Sequence, residues 1–410
     1  MVKTDVTIVG GGIAGLAAAV TLCSESTLDV VLVEKRGIGS NQTTPAVFLE
    51  AIDEFGLEES ILQNYNGFVW HSPLGAIAKF DYQQVALASM DYQKACTILY
   101  EQAATHGLEL RMAKAVDWSP AVPDPDQPLV IHPDNGEDIQ TEVLIDATGH
   151  VQWAAKQLHL RQSKHYSHCF GELLANCSIE YRSSFRFLGP NSRYGNGGGW
   201  LYPLEKDTAS IGYSVVAQES QIDKEQLAAG YWAAKREFQP YADWVKDGLR
   251  QRIESGVVPV GRIERFVADR ILIVGDAAGQ AYPWSVEGCR PGLYNGRLCA
   301  QVALQAFEQG SFDHSILSSF ERQWSKLNLE RFWRTASVAE TTWSRSDRDW
   351  DQDIAAMQGI SPEKQLVALR DNQASVFQRV YAVGGYVRRQ LVKWLEGEGN
   401  ESVGLCPDVQ

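Results

Sequence analysis

Residues 6–34 constrain this chain more than any other stretch. Val6-Thr7-Ile8-Val9 is a short apolar run of the kind that forms a strand covered on both faces. Gly10-Gly11-Gly12-Ile13-Ala14-Gly15 follows as a GxGxxG and opens an Ala- and Leu-rich helix to about Leu22. Asp29–Val33 reads as a second strand, with Glu34 at its end, 24 positions after Gly10, and then Lys35. This order predicts a β-α-β unit that holds a dinucleotide. Gly10 permits the tight turn, Gly12 lets a pyrophosphate approach the backbone, and Gly15 lets helix and strand pack closely. The free N–H groups of the helix N-terminus, at Ile13 and Ala14, carry a partial positive charge suited to phosphates. Glu34 can accept hydrogen bonds from ribose hydroxyls and would repel a 2′-phosphate. A glycine turn with no ligand leaves Glu34 unexplained. The motif by itself does not separate NAD from FAD.

The same region is uncharged for 19 residues, Val6 to Ser24, but its four glycines break any continuous membrane helix. No other stretch is long and apolar enough to span a bilayer, so the expectation is a cytoplasmic protein, at most peripheral to a membrane. The 410 residues suggest two or three domains, and 37 basic against 51 acidic residues give a net charge of −14. Nucleic acid is therefore excluded as the main partner, since phosphate binding needs surplus Lys and Arg. The seven cysteines are scattered without a CxxC, which is neither a zinc frame nor a disulfide framework. Reduced thiols in the cytoplasm are expected.

A second fingerprint lies near residue 270. Arg270–Val274 is another buried-strand run, followed by Gly275-Asp276-Ala277-Ala278-Gly279, Pro283, Trp284 and Glu287-Gly288-Cys289-Arg290-Pro291, with Gly296-Arg297 beyond. This block resembles the second FAD signature of the glutathione-reductase-type flavoproteins, a superfamily that includes p-hydroxybenzoate-hydroxylase-like enzymes. In particular it resembles the FAD-dependent geranylgeranyl reductase family. Gly199-Trp200-Leu201-Tyr202-Pro203-Leu204 and Ala209-Ser210-Ile211-Gly212 are similar to that family's GW(x)(F/Y)P segment and the strand after it. Leu144-Ile145-Asp146-Ala147-Thr148-Gly149 resembles its ATG turn. The likeness spreads over residues 5–300.

The resemblance implies FAD. It places Asp276 on a ribityl hydroxyl, with a helix N-cap as the alternative role. It also aims a helix starting near Gly288 or Arg290 at the flavin N1/O2 edge, where reduced flavin is negative. The expected cofactor-binding set is Gly10, Gly12, Ile13, Ala14, Gly15, Glu34, Lys35, Val116, Thr148, Gly149, Gly275, Asp276, Pro283, Gly288 and Cys289. Two positions depart from the family. Its Arg near residue 92 is replaced by Met90-Asp91-Tyr92-Gln93-Lys94, leaving Tyr92 or Lys94 as substitutes, or none. Its Cys-Gly turn after the second strand is replaced by Ile38–Pro45, with no cysteine.

The fold class read from these blocks is α/β. A discontinuous Rossmann-like FAD-binding domain (1–45, 85–165, 258–310) carries an inserted antiparallel-sheet substrate domain (46–84, 166–257), and a helical region follows (311–410). Residues 46–84 are expected to open with an amphipathic helix (Val47, Leu49, Ile52, Phe55), and 166–257 to give strands around Trp200, then helices from Asp223 to about Ser255. Phe320, Trp324, Leu327, Leu329, Phe332 and Trp333 form an apolar stripe, read as core or as a lipid-tail pocket. Residues 376–395 set Arg379, Arg388, Arg389 and Lys393 against apolar residues, a candidate for peripheral membrane contact or for packing on its own domain.

The family's chemistry is reduction of C=C bonds in a hydrophobic, isoprenoid-like or lipid substrate by hydride from reduced flavin. Trp200, Tyr202 and Trp284 are the candidate catalytic-pocket residues beside the ring, with ordinary core packing as the plainer reading. Tyr202 is also a candidate general acid. A flavin monooxygenase, hydroxylase or halogenase, is the alternative. Aromatic hydroxylases usually carry a DG pair where Thr148-Gly149 stands, and halogenases carry a WxWxIP block that this chain lacks. A non-redox cyclase is a third reading. With one GxGxxG only, NAD(P)H is expected as a transient electron donor, or a partner reductase in its place.

Overall fold

The computed structural model describes residues 1–189, 193–218, 222–239, 241–283, 285–329 and 345–371. Two large sheets organise them. The first is centred on the Val2–Val9 strand, which runs parallel to Val30–Glu34 on one side and to Ile139–Asp146 on the other. Glu109–Met112 and Ile271–Ile273 extend the parallel set outward, and Val267–Ala268 closes one edge antiparallel. Both faces are covered along the C-terminal halves of the central strands, so Val6–Val9, Val30–Val33 and Val143–Ile145 are continuously buried, whereas the N-terminal halves of Val2–Val9 and Ile139–Asp146 alternate. Leu129–Pro133 and Ala115–Ser119 add an antiparallel flap.

The Ile13–Glu25 and Cys289–Gln309 helices pack closely on each other. Gly292 and Gly296 face Ile13 and Ala14, and a Cβ at Gly296 would lie 2.3 Å from the Ala14 carbonyl oxygen. Glycine alone allows that approach.

The second sheet has seven strands in the order Leu249–Val260, His165–Ala175, Ala209–Ala217, Gly198–Pro203, Ser184–Leu188, Gly67–His71 and Ile77–Asp81. All neighbours are antiparallel except Ser184–Leu188 with Gly67–His71. One face buries Leu201, Ile211 and Tyr213 under the helices Lys224–Glu237 and Tyr241–Val245. The other carries Phe68, Trp70, Phe80, Phe185, Phe187 and Tyr202, and Trp350 and Ile354 of the Asp347–Met357 helix pack against it.

Two expectations need correction. Helices do not continue to Ser255: after Tyr241–Val245 comes the twelve-residue edge strand Leu249–Val260. Its charges at Arg250, Arg252 and Glu254 hide the alternation, as edge strands commonly do. The helix expected from residue 47 is only Leu49–Glu54, because Ala46–Phe48 is a strand in a small third sheet with Leu87–Met90 and Ile61–Tyr65. Val47, Ala51, Ile52 and Leu57 lie in the core of the first sheet.

In the C-terminal stripe, Phe320 and Trp324 are buried against Phe266, which makes them core, whereas Leu327 is exposed. Trp284, Phe332, Trp333 and residues 376–395 lie outside the described residues. Among the described residues no helix is long and apolar enough to cross a membrane.

Candidate functional site

The glycine turn closes against the Asp146–Gly149 turn. Gly10 has φ +113°, and a Cβ there would lie 2.3 Å from the Ala147 carbonyl oxygen; one on Gly15 would lie 2.2 Å from the Gly10 oxygen. The N-cap residue of the Ile13–Glu25 helix, Gly12, has no side chain to cap it, and the Tyr92 hydroxyl accepts from Ile13 N at 3.2 Å. The Glu34 carboxylate is fixed beside the turn, accepting from Gly11 N at 2.8 Å and from Arg36 N at 2.7 Å. Lys35 is exposed, and His150 lies close by. The His150 imidazole is held below its ordinary range by burial first, then by Lys35 and Arg36.

Asp146 organises the next turn. It is fully buried and accepts from Thr148 N at 2.9 Å and from Ala154 N at 2.7 Å, while Thr148 Oγ1 accepts from Trp153 N at 3.2 Å. Gly149 has φ +69°. Val116 is exposed, and its carbonyl accepts from Trp153 Nε1 at 3.1 Å, which brings it beside the same turn. Asp146 thus shapes the turn that carries Thr148 and Gly149, a role the sequence reading did not give it although an acid ending the strand just before Ala147-Thr148-Gly149 is its signal.

Gly275 has φ +68°, and a Cβ on it would lie 2.7 Å from the Ala14 side chain, so the two fingerprints meet directly. The N-cap role considered for Asp276 is not seen, because the short helix Gly275–Ala278 has Val274 at its cap and no side-chain cap bond. The Asp276 carboxyl makes no hydrogen bond or ion pair among the described residues and faces Gly288, where a Cβ would lie 3.2 Å from Oδ1. Burial raises its pKa from 3.8 to about 6. The Cys289–Gln309 helix likewise starts at Gly288 without a side-chain cap.

Glu287 and Arg290 pair in a two-point bond of 2.7 and 2.9 Å, and Arg290 also lies over the Phe48 ring at 4.6 Å. Pro283 is buried in the loop that Tyr282 N closes onto the Glu287 carbonyl at 2.9 Å. Burial raises the Cys289 thiol well above its ordinary pKa, leaving an uncharged and unreactive group. Lys94 pairs with Glu59 at 3.3 Å, whereas the Tyr92 hydroxyl reaches the glycine turn itself.

On the second sheet Tyr202 stacks on Phe185 with centroids 4.7 Å apart. Its hydroxyl has no hydrogen-bond partner among the described residues. Burial, followed by Tyr65, Cys169, Glu254 and Cys289, raises its pKa far above that of an ordinary phenol. Cys289 among these neighbours sets Tyr202 close to the start of the long helix. Trp200 lies across Gly212, and its Nε1 donates to Ser210 Oγ at 3.3 Å.

Two helix N-termini whose cap residues are glycines, Gly12 and Gly288, a glycine cradle that a Cβ would fill, a fixed acid after the second strand and an unpartnered acid at the other fingerprint together fit FAD. Residues 3–327 match the family model for the FAD binding domain. The chain is similar to digeranylgeranylglycerophospholipid reductase 1 of Methanosphaera stadtmanae, with 22% identity over 97% of each chain. Among solved structures, a geranylgeranyl bacteriochlorophyll reductase-like protein of Thermoplasma acidophilum superposes with TM-score 0.79 at 18% identity, covering 90% of this chain and 96% of that one. A flavin-dependent brominase gives 0.72 at 17%, covering 94% and 100%. At such identities these two structures speak for the fold. Matched over most of its length, the chain belongs to the FAD binding domain family, a family of FAD-dependent oxidoreductases.

Proposed function

We propose that this protein is an FAD-dependent reductase that saturates C=C bonds of a long isoprenoid-like chain. The observation that carries the reading is the group of half-buried rings on the second sheet, Tyr202 stacked on Phe185 and 6.3 Å from Trp200, while Phe68 and Trp70 on the same face are core. A hydrocarbon chain offers nothing to hydrogen-bond, so rings in contact with it are the recognition available. The name of the full-length Methanosphaera relative supports the same substrate class.

Bound FAD supplies the hydride in such chemistry. The chain's own residues bind and orient. The Gly10–Gly15 turn would hold the pyrophosphate, Glu34 the ribose and Asp276 a ribityl hydroxyl. The N-terminus of the Cys289–Gln309 helix favours negative charge beside it. Hydride addition at one carbon of a double bond leaves its neighbour in need of a proton, and the unpartnered Tyr202 hydroxyl is the donor in this reading. Electrons come from NAD(P)H bound transiently or from a partner reductase.

The brominase-like fold supports a second reading, a monooxygenase. A halogenase also needs a reactive lysine, and against that form Lys79 is exposed on the Ile77–Asp81 strand and pairs with Asp81 at 3.1 Å. The test is to mix photoreduced protein anaerobically with a geranylgeranyl-chain phospholipid. The expected result is flavin reoxidation with formation of the dihydro lipid. If the lipid leaves the flavin reduced while oxygen gives a transient band to the blue of oxidised FAD, the monooxygenase reading replaces this one. An isomerised lipid of unchanged mass, with flavin still reduced, would favour a cyclase.

A further inference from the structure

One row of residues crosses four strands of the second sheet. Trp200 is in register with Gly212, Gly212 with Gly171, and Gly171 with Glu254. Residues in such a row share a face, here the one that also carries Tyr202 and Phe185. The two glycines leave bare backbone between an indole and a carboxylate. The indole uses that space, since a Cβ on Gly212 would lie 2.1 Å from the ring. Trp200 therefore lies flat on the sheet.

Glu254 is 4% exposed, and polar side chains meet both of its oxygens. Oε2 accepts from Ser210 Oγ at 2.7 Å, and Ser210 in turn accepts from Trp200 Nε1. Oε1 accepts from Thr44 Oγ1 at 2.7 Å and from Arg252 at 2.8 and 3.1 Å. Thr44 belongs to the segment after Glu34, 210 positions away in sequence, and it also accepts from Arg252 at 2.9 Å. A buried carboxylate is costly to hold, and an apolar residue there would avoid the desolvation. What an apolar residue cannot do is grip two hydroxyls from separate parts of the molecule.

We propose that Glu254 is a positioning residue: through Ser210 it holds the Trp200 indole flat over Gly212 as a platform for the substrate chain, and through Thr44 it locks residues 38–45 against the sheet. The platform role rests on the reading of this face as the substrate side. The grip itself does not, and it is measurable without substrate.

The test uses flavin-loaded protein labelled with 5-fluorotryptophan, with Trp200→Phe assigning the Trp200 fluorine line. Ser210→Ala should shift that line and leave amide exchange over 38–45 unchanged. Thr44→Val should do the reverse, speeding exchange about tenfold or more over 38–45. Glu254→Gln should do both. The proposal is overturned if Glu254→Gln moves neither signal, or moves all the tryptophan lines together as general loosening would. With the geranylgeranyl-chain phospholipid as probe, Ser210→Ala should raise KM about tenfold with kcat nearly unchanged, the size of effect expected from one misplaced apolar wall. A displaced Trp200 line with an unmoved KM would instead overturn the substrate-side reading, and the platform with it.

Discussion

The Tyr92 hydroxyl lies 3.2 Å from the backbone nitrogen of Ile13 and accepts its N–H. That amide opens the helix at the dinucleotide turn, where a phosphate oxygen would be received. The phenol also faces Gly12, where a Cβ would lie 3.2 Å from its oxygen. Burial raises its pKa well above the ordinary value, so it stays neutral and can both accept and donate. Of the two substitutes considered for the resembled family's arginine, Tyr92 is the one that reaches the turn, whereas Lys94 pairs with Glu59. Tyr92→Phe is expected to lower the stability of the flavin-free protein by about 1 kcal/mol, through the unmade bond to Ile13. It should also weaken FAD binding by about five- to tenfold, the worth of one neutral hydrogen bond. Urea melts of the flavin-free protein and titration with FAD would measure both. Tighter FAD binding in the variant would mean that the hydroxyl competes with the phosphate.

Asp276 leads to a prediction whose two halves have opposite sign. Its folded-state pKa is raised from 3.8 to about 6 by burial, so the folded protein holds this proton more tightly than the unfolded chain does. In the flavin-free protein, stability should therefore fall as pH rises from about 4 to about 6, by up to about 3 kcal/mol at neutral pH. Asp276→Asn removes that cost. The flavin-free variant should be the more stable at pH 7 and should lose its advantage near pH 4. FAD affinity should fall at the same time, because the amide offers the ribityl hydroxyl a weaker, uncharged acceptor. Urea midpoints across this pH range, with FAD titrations at pH 7, check the two signs separately.

How far the sequence led follows from how local each signal is. The turn at Gly10–Gly15 is legible because one strand, one turn and one helix impose its spacing, and the Gly275–Gly279 block is legible for the same reason. Gly292 and Gly296 can be read as part of a motif, but their reason, contact with Ile13 and Ala14, joins segments about 280 residues apart and appears only in the fold. Glu254 was invisible. The first part of its strand, up to about Ser255, reads as helix because alternating charges at an edge mimic a solvated helical face. Its partners Thr44 and Ser210 come from distant segments. Tyr92 lay between: the departure from the family was visible, and the fold supplied its place.

Gly296 offers a direct check on the two-helix contact beneath the cofactor cradle. A methyl group there would approach the Ala14 carbonyl oxygen to 2.3 Å and the Ala17 side chain to 3.0 Å, and the carbonyl belongs to helix backbone that cannot turn aside. Gly296→Ala should destabilise the protein by about 1–3 kcal/mol as an overpacked core does. The Ile13–Glu25 helix must shift to relieve the clash, and it carries the phosphate-binding amides. FAD affinity should therefore drop with stability, whereas Gly310→Ala, with nothing within 4 Å of its Cβ position, should leave FAD affinity near the wild-type value despite its φ of +63°. Thermal melts with and without FAD distinguish the two variants.

Tyr202 closes the chain from structure to chemistry. A proton donor must be protonated at working pH and free to point at its acceptor. Burial, then Tyr65, Cys169, Glu254 and Cys289, all push the phenol the same way, far above the ordinary tyrosine range. Its hydroxyl is committed to no hydrogen bond among the described residues. If it delivers the proton, the rate at which lipid reoxidises the reduced flavin should stay level through pH 9–10, where an ordinary phenol would begin to ionise. Tyr202→Phe keeps the ring stacked on Phe185 at 4.7 Å, so FAD and lipid binding should hold. The reoxidation rate should fall by about a hundredfold or more. A rate that declines with a pKa near 10 in the wild type, or that survives the loss of the hydroxyl, would assign the proton to another group.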